Sequence, residues 1–261
     1  MDDPSLLQRA DLNFVEFNRE GARWAAGGIV HEEDGLVFFV PGHRFPVGFT
    51  GVMRSDPALP ARAMIDRAGV FFGPRGHGYT FCLMAHRDAD VAAALEEGGI
   101  SVFGNSPGMA LDAPLPEAAL PADVTIQRVT DAAGAAAFAA VSGAAYATYG
   151  MPARIVLAHF ADHRFFTQPH VAAFVARVDG EAAAAAMVMV THGVAGVYWV
   201  GTTPQARGRG LAEACTRVAG NAGFDMGAKV AALQASVMGE PIYRRMGYRE
   251  ITRYPWYVVM P

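Results

Sequence analysis

The residues with the clearest chemical consequence are Pro204-Gln205-Ala206-Arg207-Gly208-Arg209-Gly210-Leu211-Ala212. An apolar, strand-like run from Val197 to Val200 leads into them. A helix-like run follows, with Leu211, Ala214, Cys215, Val218, Ala219 and Ala222 on one face. A strand, a glycine-rich turn and a helix start together make a cradle for phosphate oxygens, because free N–H groups and the positive end of the helix dipole face the same anion. Two phosphate-binding patterns do not fit. A dinucleotide fingerprint needs G-x-G-x-x-G or A in a parallel unit, but here the sixth position is Glu213 and the preceding strand closes an antiparallel meander. The nucleotide P-loop pattern G-x-x-x-x-G-K-S/T is absent. A plain helix start with two glycines is the reading that requires no ligand.

A second constellation follows after one intervening strand: Ser236-Val237-Met238-Gly239-Glu240-Pro241-Ile242-Tyr243-Arg244-Arg245-Met246-Gly247-Tyr248. Q-x-x-G-x-G at Gln205, Gly208 and Gly210 resembles motif A of the GNAT superfamily of acetyl-coenzyme A-dependent N-acetyltransferases. The later segment resembles that family's N-x-x-A-x-x-L-Y-x-x-x-G-F, with Ser for Asn, Gly for Ala and Tyr for Phe. The resemblance covers about Ile126 to Tyr257, and two motifs at family spacing are more specific than either alone.

The resemblance implies a fold and a set of roles. The strand before the turn splays from its neighbour, and the pantetheine of acetyl-coenzyme A pairs with backbone groups near Val200 and Thr202, as in strand addition. The amides of Arg207, Gly208, Arg209, Gly210, Leu211 and Ala212 hold the pyrophosphate, where glycine permits close backbone approach. The Arg207 and Arg209 side chains either add charge there or are solvated. Tyr243 occupies the family's general-acid position, and a phenol stays protonated at neutral pH while able to protonate a departing thiolate. Ser236 stands where Asn is usual and offers a hydroxyl to pantetheine or a water. No acid lies between Gly196 and Thr202. The base is therefore either a water chain or unnecessary, because the amine arrives neutral. Family geometry also places Tyr198, Trp199, Tyr146, Tyr149 and His159 around the acceptor. The expected activity is acetyl transfer to a primary amine, of a small molecule or a peptide. The alternative is a non-catalytic acyl-coenzyme A sensor.

The elements that must position these groups fall into two halves. Asp112 to Asp123 reads as a linker, with Pro114, Pro116 and Pro121 blocking regular structure. In the second half, helices are expected over Asp131 to Ala145, capped by Thr130 or Asp131, and over Ala153 to His163. A meander follows over Val171 to Val178, Ala183 to Val190 and Val194 to Val200, turned by Asp179-Gly180 and His192-Gly193. Strand Val230 to Ala235, a short helix near Pro241 to Met246 and strand Arg249 to Val259 complete it. The first half repeats the order: helix Pro4 to Ala26, strands Gly28 to His31 and Leu36 to Val40 joined by Asp34-Gly35, strand Phe49 to Arg54, helix Leu59 to Val70, strand Tyr79 to Ala85, helix Ala89 to Glu97 and a short strand Ile100 to Phe103. Its turn after the third strand, Ser55-Asp56-Pro57-Ala58-Leu59-Pro60, has no glycine, and Asp56 would repel phosphate. The expected architecture is a tandem GNAT-like α+β fold of mixed, mostly antiparallel sheets flanked by helices. A degenerate first domain spans 1–116 and a coenzyme-binding domain 124–261.

Composition excludes several classes. With 52% hydrophobic and 18% charged residues the chain is globular, and a net charge of −4 without basic clusters argues against nucleic acid. Cys82 and Cys215 read as reduced core residues. The acidic start Met1-Asp2-Asp3-Pro4 is unlike a signal peptide, and apolar runs such as Ala182 to Val190 fall short of the roughly 20 residues that span a bilayer. A cytoplasmic protein without membrane contact is expected. Gly104-Asn105-Ser106-Pro107-Gly108 matches the hydrolase elbow G-x-S-x-G, but Pro107 lacks the N–H an oxyanion hole needs, so it reads as a tight turn. His159 and His163 are one helical turn apart without an evident third ligand, so no metal is expected.

Overall fold

The computed structural model describes residues 4–261; the acidic Met1–Asp3 start lies outside them. Three two-residue turns set the strand register. β1 (Ile29–Glu33) pairs antiparallel with β2 (Leu36–Val40) across Asp34-Gly35, whose φ values are +39° and +85°. β7 (Val171–Val178), β8 (Glu181–Thr191) and β9 (Val194–Thr202) form a meander through Asp179-Gly180 and His192-Gly193, all four with positive φ. Such turns match the twist of the strands they join, which is why Asp-Gly and His-Gly serve here. α4 (Ala132–Tyr146) starts at Asp131, whose carboxylate accepts the Gly134 N–H at 2.7 Å. α5 (Ala153–His159) ends earlier than the expected His163. Asp162 accepts the Arg164 N–H at 3.0 Å and turns the chain into a 3₁₀ segment, His163–Thr167.

The remaining strands are β3 (Gly51–Arg54), β4 (Tyr79–Cys82), β5 (Val102–Leu111), β6 (Val124–Arg128), β10 (Val230–Gln234) and β11 (Arg249–Val259). All join one 11-stranded sheet in the order β1-β2-β3-β4-β11-β5-β10-β9-β8-β7-β6. The two halves therefore exchange strands. The last strand of the chain, β11, pairs with β4 of the first half, with Trp256 opposite Cys82. The last strand of the first half, β5, pairs with β10 of the second, with Gln234 opposite Gly108. β5 also corrects an expectation: the G-N-S-P-G segment is the body of a ten-residue strand, not a tight turn. Pro107 is tolerated because β10 pairing stops at Gly108, and only its carbonyl is used on that side, accepting the Ala235 N–H at 2.8 Å.

Both faces of the sheet are covered away from its edges, so the inner strands are apolar on both sides, whereas the edge strands β1 and β6 are largely exposed. Val37 and Phe39 of β2, and Ala185, Met187 and Met189 of β8, point into one core with α1 (Pro4–Trp24), α4 and α5. The alternate residues point the other way. Leu36, Phe38 and Val40 pack with α2 (Ala61–Phe72) and α3 (Ala89–Glu97). Ala184, Ala186 and Val188 pack with α6 (Leu211–Asp225) and α7 (Glu240–Met246). Cys82 and Cys215 are free and buried, and burial pushes both thiols up to about 12, as suits core residues. Although α1 opens the chain, it holds the second half's meander. Asn13 Nδ2 donates to the carbonyls of Met189 (3.0 Å) and Val194 (3.1 Å), and its Oδ1 accepts the Tyr198 hydroxyl at 2.6 Å. Gly196 is required beneath it, since a Cβ there would lie 2.0 Å from Asn13 Oδ1.

Candidate active site

β9 is the element on which the site is built. It pairs in parallel with β10 only from Val194 to Gly196, opposite Val230 to Ala232. Against β8 its register slips between Tyr198↔Met187 and Gly201↔Ala185, a bulge that inserts one extra residue. Within it Trp199 holds φ at +53°, a conformation bulky side chains rarely adopt. Beyond the bulge β9 runs free of β10 to Thr202, leaving strand hydrogen-bonding groups facing a gap.

That gap is a cleft of ≈ 490 Å³. One wall is β9 from Val200 to Thr202, the floor is the turn and first residues of α6, and the opposite wall is Ser236 to Arg245. The turn passes through a 3₁₀ segment, Pro204–Ala206, then Gly208 at φ +79° and Gly210 at φ +75°, the residue that caps α6. A Cβ at either glycine would meet no protein atom within 4 Å. The backbone angle calls for glycine, and the space is left open on the cleft side. No side chain caps α6, so its first N–H groups are free to bind an anion.

The residues expected from sequence fall on this cleft with one exception. Val200, Thr202, Arg207, Gly208, Gly210, Leu211, Ala212, Ser236 and Tyr243 all line it. Arg209 does not. Its guanidinium turns outward to Asp123, Nη2 to Oδ2 2.5 Å, and holds that carboxyl below its ordinary range. Only the Arg209 main chain remains near the cradle, and the expected side-chain charge is spent on the linker. Arg207 stays at the rim, with Nη2 3.3 Å from Thr148 Oγ1. Thr202 presents a buried hydroxyl without a partner. The open glycine turn, the uncapped helix and this orphaned hydroxyl are what a long phosphorylated thioester needs, so the residues fit acetyl-coenzyme A.

Three phenols converge on the cleft. Tyr243 is buried on α7, its hydroxyl beside that of Thr216, and burial pushes its pKa well above the ordinary phenol range, so it remains protonated. Gly239 makes room for it; a Cβ there would lie 2.8 Å from the Tyr243 ring. Tyr149 donates to Ser236 Oγ at 3.1 Å, and that oxygen also accepts the Gly239 N–H at 3.1 Å, which leaves the serine proton free to donate. Tyr146 donates to the Val200 carbonyl at 3.4 Å. Tyr146 and Tyr149 line the cleft as expected for an acceptor side, whereas His159 lies behind Trp199 and does not. Tyr198 is also absent from it: its ring stacks on Phe17 at 3.7 Å beneath α1, because the bulge sends Trp199 and Tyr198 to different surroundings. Arg245 and Met238 line the cleft and carried no readable signal, since a lone cation on a short helix has none. Among the described residues no group of three or more His, Cys, Asp or Glu is arranged to hold a metal.

The family model for an acetyltransferase (GNAT) domain matches residues 144–251, which span the cleft. No curated protein matches the chain. Among solved structures, a GCN5-related N-acetyltransferase from Kribbella flavida is 22% identical with a TM-score of 0.72, over 95% of this chain and 94% of that one. A GCN5-related N-acetyltransferase from Sphaerobacter thermophilus is 17% identical with a TM-score of 0.63, over 87% and 77%. A tandem GNAT protein from the clavulanic acid biosynthesis pathway is 14% identical with a TM-score of 0.61, over 99% and 95%.

Proposed function

With residues 144–251 forming a GNAT acetyltransferase domain within a tandem GNAT-like fold, we propose that the protein transfers an acetyl group from acetyl-coenzyme A to a primary amine. The observation that carries this reading is the open glycine turn at the uncapped start of α6, placed where β9 leaves β10. Acetyl-coenzyme A supplies an acetyl group already activated as a thioester. The amides from Arg207 to Ala212 bind the pyrophosphate, and the free edge of β9 at Val200 and Thr202 pairs with the pantetheine arm. Ser236 gives its remaining proton to that arm. The amine nitrogen forms the C–N bond as the C–S bond breaks. Tyr243 Oη delivers its proton to the leaving sulfur and is restored by the proton the nitrogen sheds, so charge and protons balance.

In this reading residues 124–261 carry the chemistry. Residues 1–116 are the degenerate partner that supplies β5 and the α1 anchor. No described helix is long and apolar enough to cross a membrane, and a cytoplasmic location is part of the proposal. The test is calorimetric titration with acetyl-coenzyme A, followed by thiol release across a panel of amines. Saturable binding with thiol release is expected. Binding without release from any amine favours a sensor, and no binding overturns both.

A further inference from the structure

The first half sends one segment to the chemical side of the second. Residues 41–50, the irregular loop between β2 and β3, pack against α5 and the β9 bulge. Phe49 stacks on Trp199 with centroids 5.4 Å apart and planes at 28°, and lies 4.5 Å from the His159 ring. Trp199 in turn lies 4.7 Å from Tyr146, which lines the cleft. An unbroken series of rings thus runs from the cleft through Tyr146 and Trp199 to a loop of the other half. Trp199 and His43 remain partly open to solvent.

Two imidazoles lie at this junction, His43 half-buried and His159 buried, each with one ring nitrogen that binds nothing. His43 and His159 have ring centroids 6.3 Å apart at 62°. His43 Nδ1 accepts the Phe45 N–H at 3.3 Å, so in the neutral ring Nε2 carries the proton, and that buried N–H has no acceptor. His159 is 7% exposed, and its Nδ1 also lacks a partner. A buried polar atom left unpaired is costly, so two of them on rings 6.3 Å apart call for a polar ligand group. Trp199 adds strained backbone at the same point.

We propose that this surface is the acceptor subsite, that it takes a flat, uncharged aromatic amine, and that Phe49 and His43 of the first half determine that choice. The inference rests on the acetyl-transfer reading above. Stacked rings favour a planar π-system. The unpaired imidazole nitrogens hydrogen-bond its polar substituents and so orient the amine toward the cleft. Burial brings His43 down to about 4 and His159 to about 3, and among the described residues no carboxylate is paired with either ring. The desolvation that expels a proton from imidazolium acts equally against an alkylammonium. An anilinic nitrogen carries no charge at neutral pH and attacks without first losing a proton. That accounts for a strand β9 with no acid from Gly196 to Thr202.

The experiment compares thiol release from acetyl-coenzyme A with anilines and with alkylamines of matched size, in the wild type and in His43→Ala and Phe49→Leu. Acetyl-coenzyme A affinity is measured separately for each protein. Expected are turnover of anilines at least tenfold above alkylamines and a tenfold or larger rise in aniline KM in either variant, with coenzyme affinity unchanged. His43 lies on a partly exposed loop, so its variant folds even if Phe49→Leu does not. Preference for alkylamines, or an unchanged aniline KM in His43→Ala, overturns the subsite while leaving the acetyl-transfer reading intact. If no amine turns over, calorimetric titration of aniline into the coenzyme-saturated protein decides: saturable binding weakened in His43→Ala supports the subsite, and its absence in the wild type overturns it.

Discussion

After the last strand of its meander, β3 in the first half and β9 in the second, the chain must turn into a helix, and the two halves do this in opposite ways. In the second half the strand bulges at Trp199, the turn passes through Gly208 and Gly210, and strand end and helix start stand apart around a cleft. In the first half β3 pairs with β2 without a slip, from Leu36↔Arg54 to Phe39↔Gly51, and the turn contains Asp56, Pro57 and Pro60. The corresponding space is filled by Arg54, whose side chain is 1% exposed. All its N–H donors are used: Nε to Asp88, Nη1 to Asp90 and the Leu59 carbonyl, Nη2 to Asp90 and the Arg87 carbonyl. Asp56 accepts the Ala58 N–H at 2.9 Å and stiffens the turn. One unit keeps the join open for a ligand, and the other ties it with a guanidinium. Closing such a join takes more than omitting glycines, because the space must be filled and its backbone groups bonded.

The contrast can be broken at several levels. The largest effect is expected from severing the halves. Residues 124–261 made alone lack β5, which lies between β10 and β11, so no cooperative unfolding transition and no acetyl-coenzyme A binding are expected by circular dichroism and calorimetry. Next is Arg54→Met, which leaves the buried Asp88 carboxylate (1% exposed) with only the longer Arg87 ion pair at 3.7 Å and should cost about 3–5 kcal/mol in urea unfolding, with coenzyme affinity of the surviving fold unchanged. In the open half, Tyr243→Phe should lower kcat by at least ~100-fold without weakening coenzyme binding, because only a proton is removed. Gly210→Val forces a branched side chain to hold φ near +75°, costing roughly 1–2 kcal/mol and so reducing acetyl-coenzyme A affinity about 5- to 30-fold. The smallest effect concerns pH. A hydrogen bond from Arg54, foremost among several causes, holds the Asp90 carboxyl below its ordinary range. Its contribution is complete above about pH 4 and is lost as pH falls through the lower folded value. Tm measured from pH 6 to 2.5 should therefore fall less steeply in Asp90→Asn than in the wild type.

Much of the open join was legible in the sequence because it is written locally. Asp179-Gly180 and His192-Gly193 fix the meander, glycines 208 and 210 mark the turn, and Tyr243 follows at family spacing. Arg209 was not, because what decides its direction is Asp123, a linker residue far away in the chain. β5 was not legible for a similar reason. Gly104 to Gly108 is locally turn-like, and only pairing with two strands that follow it by more than a hundred residues makes it extended. The same limit hid Arg54, an ordinary surface residue by composition until Asp88 and Asp90 close on it.

The exchanged strands also set an order in time. During synthesis the first half emerges with β4 and β5 made but the strand that lies between them, β11, still to be translated. Neither half can complete its sheet before Arg249–Val259 appears, so the nascent protein carries two unsatisfied strand edges until β11 is made. Closure of the fold is thereby tied to the translation of β11. A ribosome that stops before β11 releases a chain with open edges, suited to capture by chaperones or proteases, in place of a folded half.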